Sequence, residues 1–235
     1  MSLNKIGWGI EAFDELSGGL PQNRMSVVGT PNIKLGRLIL GHFLFQGIQN
    51  NERVMMLSHD SPITLLDNWK LAGLDLDLSY KNNQIYFLNY NPNIKLQIGL
   101  LDDYEAFIEE MKRLCDGELP NRCAIQSIDT LVNLSNIFLT GDSVNKLAAA
   151  SRSALAYHTT TLGQFVKYED QTHHDLAIAF DKSVSGYFEI DKNSEHRLNF
   201  STKKVPWFNY CEDPTTVEID KNHKFILTRK SLNAA

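Results

Sequence analysis

Alternation constrains this chain more than any other feature. Apolar runs of strand length recur along it, separated by amphipathic segments of helix length. Met25 to Val28 is one such run, and a helix-like segment, Arg37 to Gln49, follows it. Arg53–Ser58, with Val-Met-Met-Leu at its centre, reads as a buried strand. Pro62 opens a helix that runs through Leu71 and closes at Gly73, with Pro first and Gly last as helix ends prefer. Gln84–Leu88 is the next strand. Asp102–Cys115 sets Tyr104, Phe107, Ile108, Met111, Leu114 and Cys115 on one face at helical spacing. Arg122–Ile128, Thr159–Val166 and Asp175–Phe180 continue the strand series, with a helix at Val144–Tyr157. The pattern predicts an α/β fold whose mostly parallel sheet is covered by helices on both faces.

The last third is different. Tyr187–Ile190, His196–Lys203, Thr216–Ile219 and Lys224–Leu227 are short and β-rich, with polar turns such as Asp191–Ser194 between them. They read as a C-terminal antiparallel β-hairpin extension. Asn89–Lys95 and Glu212–Thr215 read as loops, and no linker or internal repeat divides the chain. The expectation is a single domain over residues 1–235, with an α/β core over about 1–180 and a β-rich extension over about 181–235.

Charge and cysteine usage exclude several classes. The net charge of −5 argues against a nucleic-acid face, and Arg197, Lys203 and Lys204 make too small a basic spot to change that. Cys115, Cys123 and Cys211 are odd in number and lack ligand spacing, so they read as buried or free thiols. No run has the apolar length of a membrane span, and the first residues lack a signal-peptide core. A soluble, cytoplasmic protein with no membrane insertion is expected.

Residues 25–49 form the strand–loop–helix frame of a phosphate-binding loop. That loop needs Gly-x4-Gly-Lys-Ser/Thr, in which backbone N–H groups converge on phosphates, the lysine neutralises charge and the hydroxyl holds magnesium. Gly29 opens the loop here, but Lys34 stands at the second glycine, Leu35 at the lysine and Gly36 at the hydroxyl.

The segments in order resemble the KaiC-like, RecA-superfamily ATPases over nearly the whole chain. Gly9-Ile-Glu-Ala-Phe-Asp-Glu-Leu-Ser-Gly-Gly-Leu-Pro21 is similar to that family's N-terminal motif. Leu57-Ser-His-Asp-Ser-Pro62, followed by a helix and Gly73-Leu-Asp75, is similar to its Ser-Leu-Glu-Glu-Ser-Pro, helix, Gly-x-Asp stretch. The resemblance implies a RecA-like three-layer sandwich. It also implies a nucleotide site whose chemistry is missing. Of Gly-x-Pro-Gly-x-Gly-Lys-Ser/Thr only Gly29 and Pro31 remain, His59 and Asp60 replace the paired glutamates, and Gln126 replaces the Walker-B aspartate. Gln126 is neutral and a poor ligand for a hard dication. Phosphoryl transfer depends on positioning and charge neutralisation, so an inactive ATPase is expected.

Other residues carry paired readings. Lys34 is either a solvated loop lysine or an anion contact at a helix N-terminus. His59–Asp60 is a polar strand end or a residual acid/base pair. Asp129 is read as a loop or capping residue, and His158, His173 and His174 as polar loop residues, so no metal is expected. Lys203 and Lys204 match loosely a basic pair that in the family reaches the neighbouring subunit's nucleotide. Alternatively they are solvated β-edge charges. Trp207, Phe208 and Tyr210 are either a partner anchor or a packed cluster.

The expected function is that of a pseudo-ATPase. It would act as a structural or regulatory subunit through protein partners or self-association, as a dimer or ring, in a multi-protein machine such as a secretion or motility apparatus. The alternative is a sensor that binds ATP or GTP without magnesium and does not hydrolyse it. An enzyme with altered chemistry at His59 and Asp60 is the third reading, and DNA recombination is disfavoured.

Overall fold

The computed structural model describes residues 4–89, 104–128, 158–167, 178–194, 197–207, 215–221 and 223–227. In chain order the elements are β1 (Lys5–Ile6), α1 (Glu11–Ser17), β2 (Leu20–Pro21), β3 (Met25–Thr30), α2 (Ile33–Gln49), β4 (Val54–Ser58), α3 (Pro62–Leu71), α4 (Asp77–Lys81) and β5 (Ile85–Asn89). They continue with α5 (Tyr104–Leu114), β6 (Arg122–Ile125), β7 (Thr160–Val166), β8 (Gly186–Ser194), β9 (Arg197–Lys204), β10 (Thr215–Ile219) and β11 (Phe225–Leu227).

Nine strands form one sheet in the order β11-β10-β9-β8-β3-β7-β6-β4-β5, and β1 pairs with β2 separately. From β8 to β5 every neighbouring pair is parallel. From β8 to β11 every pair is antiparallel. The β-rich final third therefore continues the central sheet, joined through β8 lying parallel to β3.

Side-chain alternation along the strands feeds two cores. Val28, Val54 and Met56 face α2 and α3, where Phe43, Leu44, Leu65 and Trp69 meet them. Val27, Met55 and Leu57 face the other layer, with Ile108, Met111, Phe165 and Phe180. Helices on both faces give the α/β sandwich that the alternation predicts, in the RecA-like form the resemblance implies. Arg122 is an exception to an apolar interior. It is 1% exposed, pairs with Glu52, and donates to the carbonyls of Gly7 (2.8 Å) and Phe43 (3.2 Å). Those bonds tie the N-terminal segment to α2 and to the turn before β4.

The structure corrects four element assignments. The helix expected from Arg37 begins at Ile33, because Asn32 caps it: its side-chain oxygen accepts the Leu35 N–H at 2.9 Å. The strand expected at Asp175–Phe180 is helical where it is described, over 178–183. Its apolar residues follow helical spacing: Phe180 and Val184 are both buried, and the Val184 N–H bonds the Phe180 carbonyl at 3.0 Å. β6 stops at Ile125, three residues short of the expected Ile128, because Ser127 turns with φ 51°. The turn expected at Asp191–Ser194 is instead the end of β8, whose residues up to Ser194 pair with β9. The helix expected at Val144–Tyr157 lies outside the described residues, as do Asp129, His173, His174, Phe208, Tyr210 and Cys211.

Candidate functional site

In an open parallel sheet, ligands bind at the carboxyl ends of the strands. Here those are the ends of β3, β4, β6 and β7. At the end of β3 only Pro31 and Asn32 separate strand from helix. Pro31 has no N–H, the Leu35 N–H is taken by the Asn32 side chain, and the Gly36 N–H bonds the Asn32 carbonyl at 3.3 Å. Three of the backbone positions a phosphate would use, Pro31, Leu35 and Gly36, thus have no N–H or an engaged one. Lys34 projects exposed from the first turn of α2, while Leu35 is 6% exposed and packs in the core.

Gly36, at the hydroxyl position, faces Gln164 of β7. A Cβ there would lie 2.5 Å from the Gln164 side-chain carbon Cδ. Gln164 is fully buried. Its amide nitrogen donates to the Thr30 hydroxyl at 3.0 Å, and its oxygen accepts the Ser127 N–H at 3.2 Å. The space beside a magnesium-holding hydroxyl is therefore filled by a glutamine tied on both sides.

Beyond it lies a second polar knot. The Ser58 hydroxyl donates to Gln126 Oε1 at 2.6 Å and accepts the Asp60 N–H at 2.9 Å. Gln126 Nε2 donates to Asp60 Oδ2 at 2.7 Å and lies 3.4 Å from His59 Nε2. The same Asp60 oxygen pairs with the guanidinium of Arg37, which reaches it from α2. Both side chains are less than a fifth exposed. The Asn89 side chain donates to the Asp60 carbonyl at 2.8 Å.

The structure thus brings Gln126, His59 and Asp60 together, as their family positions require. It adds three residues that sequence reasoning passed over: Arg37, Gln164 and Ser58. The one signal for Arg37 was a cation immediately after the hydroxyl position. No magnesium fits this arrangement. Gly36 offers no hydroxyl, Gln126 offers a neutral amide oxygen already bonded to Ser58, and the carboxylate of Asp60 already holds a cation. Among the described residues no group of three or more His, Cys, Asp or Glu is arranged to hold a metal.

A cleft of about 540 Å³ opens beside the knot, over the outer face of α2's first turns. Pro31, Asn32, Lys34 and Arg37 form one wall, the end of α3 another, and Lys192, Leu198, Ile219 and His223 from the antiparallel strands a third.

The remaining candidates are engaged within the chain. Lys203 lies 3.6 Å from Glu189, and Lys204 donates to the Asp181 carbonyl. Glu189 belongs to a cluster with Lys167 (3.0 Å) and Tyr187. Burial alone would raise its pKa, but the Tyr187 hydroxyl and the Lys167 ammonium hold it below the usual carboxylate value. Trp207 is half-buried, donates its indole N–H to the Ser17 carbonyl at 3.1 Å and carries Lys5 over its ring, so it belongs to the packed reading. His158 sits in a turn beside Asn23. Cys115 and Cys123 are buried free thiols, both pushed up by burial, Cys115 to about 12. No helix among the described residues is long and apolar enough to cross a membrane.

Comparison with known proteins agrees with this fold. The structure is similar to that of a KaiC-like protein from the hyperthermophilic archaeon Pyrococcus horikoshii, with a TM-score of 0.71 at 15% identity. The match covers 97% of this chain and 100% of that one. No curated protein matches the sequence. The family model described as the KaiC ATPase matches residues 6–178, and the chain belongs to that family.

Proposed function

We propose that this KaiC-family chain does not hydrolyse nucleotide and acts as a structural or regulatory subunit through protein contacts. The observation that carries the reading is the ion pair between Arg37 and Asp60, with Gln126 bridging Asp60 and Ser58. A working phosphoryl-transfer site keeps its carboxylates available to a metal and to water. Here the acidic residue is neutralised from within, the Walker-B position is an amide, and the phosphate loop is shortened to a helix cap. The protein assembles with partners or with itself, as a dimer or ring, within a larger machine such as a secretion or motility apparatus, and it works in the cytoplasm.

The test is turnover of ATP and GTP at saturating magnesium, together with purification from the native source. The expected outcome is release of phosphate no faster than in a protein-free control, with partners co-purifying. Turnover that Asp60→Asn abolishes would overturn the reading, and a strictly monomeric protein without partners would count heavily against the subunit role.

One observation favours a second reading, a sensor that binds nucleotide without magnesium. The cleft beside α2 has Asn32 and the exposed Lys34 on its wall. Loss of ATP affinity in Lys34→Ala is its signature; unchanged affinity removes that lysine from it.

A further inference from the structure

We infer that the cleft over α2 is a docking site for an acidic, leucine-rich peptide segment of a protein partner. The inference rests on the reading that the chain acts through protein contacts, and it names where and by what chemistry. The cleft combines two features. Its floor is apolar: Leu35, Trp69 and Leu198 are buried beneath it, with Leu38 and Ile219 half-buried. Its rim is cationic: Lys34 and Lys192 are both exposed and have no ion-pair partner among the described residues, and His223 stands nearby. Among the described residues no aspartate or glutamate lines it, although the whole chain carries a net charge of −5. A positive rim around an apolar floor on an acidic protein selects an occupant with carboxylates around an aliphatic centre.

Leu71 adds to this. It lines the same cleft and is 81% exposed, as Ile63 of α3 is at 71%, whereas Leu65, Leu66 and Trp69 are buried. Its side chain extends the apolar floor to the cleft edge. A polyphosphate fits less well. At the helix N-terminus behind the cleft the Leu35 N–H is capped by Asn32, and the Arg37 guanidinium pairs with Asp60. The two lysines stand apart at the rim, an arrangement suited to separated carboxylates rather than to one converging phosphate group.

Fluorescence anisotropy on the full chain tests this. The probe is a labelled decapeptide of alternating Glu and Leu, with its Ser–Leu counterpart as control. We expect the Glu–Leu peptide to bind at least about tenfold more tightly than the control, with affinity falling as salt rises. Lys34→Glu combined with Lys192→Glu is expected to weaken it about tenfold, and Leu71→Ser about threefold. Lys182→Glu, an exposed charge outside the cleft, should leave it unchanged. All of these residues are exposed, so the variants keep the fold. Equal binding of the two peptides, indifference to the double charge reversal, or displacement of the probe by micromolar ATP would overturn the inference. Magnesium-dependent ATP turnover would instead sink the functional reading beneath it, so the two failures are distinguishable.

Discussion

Two stretches of this chain carry family motifs, and they have fared differently. In the N-terminal one, residues 7–21, the motif residues hold the fold. Asp14 Oδ1 accepts the Trp8 N–H at 2.8 Å, and Ser17 accepts the Trp8 indole N–H at 3.0 Å while bonding the Phe13 carbonyl at 2.7 Å. Gly18 closes α1 in the left-handed region, and Gly9, at φ 77°, leaves room for α2, where a Cβ would lie 2.8 Å from Gln46 Cβ. In the second stretch, residues 29–36, the motif residues of the family hold a ligand. Here they are replaced, and internal partners have taken over: Asn32 caps the helix, Gln164 fills the space at Gly36, and Arg37 neutralises Asp60. Residues that pack are needed whether or not a ligand binds. On the proposed reading, residues that would wait for a ligand are replaceable, provided the polar groups around them find new partners.

Arginine occurs on both sides of this comparison, so substituting each one sharpens it. Arg122→Ala removes a buried cation and strands Glu52 and the carbonyls of Gly7 and Phe43. Urea denaturation should show a loss of about 3–5 kcal/mol, or no soluble protein. A loss below about 1 kcal/mol would mean the N-terminal segment is not held as described.

Acid should weaken the N-terminal side as well. Burial lowers the His42 side chain from 6.5 to about 4, with its ring edge-on to Phe225. Above pH 6.5 the imidazole is neutral in both states and contributes no pH dependence. As pH falls below that, the unfolded chain takes up a proton that the folded chain refuses, and stability drops until about pH 4 by at most about 3 kcal/mol. His42→Phe should flatten that part of the pH–stability curve. An unchanged slope would assign it to other groups.

On the other side, Gly36→Ser puts back the family hydroxyl. It should destabilise by roughly 1–3 kcal/mol, because the new Cβ meets Gln164, and adding Gln164→Ala should recover part of that. A neutral Gly36→Ser in a thermal melt would show that the space is not filled. The smallest effect is the coupling between Arg37 and Asp60. A double-mutant cycle with Arg37→Met and Asp60→Asn should return about 1–2 kcal/mol. Additive losses would show that the ion pair is incidental.

Much of the fold was legible because its signals are local. Pro62 and Gly73 bracket α3, and Ile108, Met111 and Cys115 trace the buried face of α5. The strand expected at 175–180 failed because a short apolar run does not distinguish strand from helix, and Phe180 is buried in either. The early start of α2 was written in Asn32, a capping residue read as a loop position because the motif suggested a loop. In the site, the departures from the family motif were readable one position at a time, but the contacts around them were not. Gln164 meets Gly36 across 128 positions of sequence and Arg37 meets Asp60 across 23, so only the folded sheet and helix bring them together. Lys192 and Leu198 reach the cleft only because β8 and β9 continue the central sheet.

The most direct test of the central claim is calorimetric titration of the purified protein with ATP and GTP, each with and without magnesium. The account expects the two curves for each nucleotide to be the same: no detectable heat at millimolar nucleotide, or weak binding indifferent to the metal. Micromolar binding that requires magnesium would contradict it, because no residue around Arg37, Asp60 and Gln126 would then be doing what its contacts say.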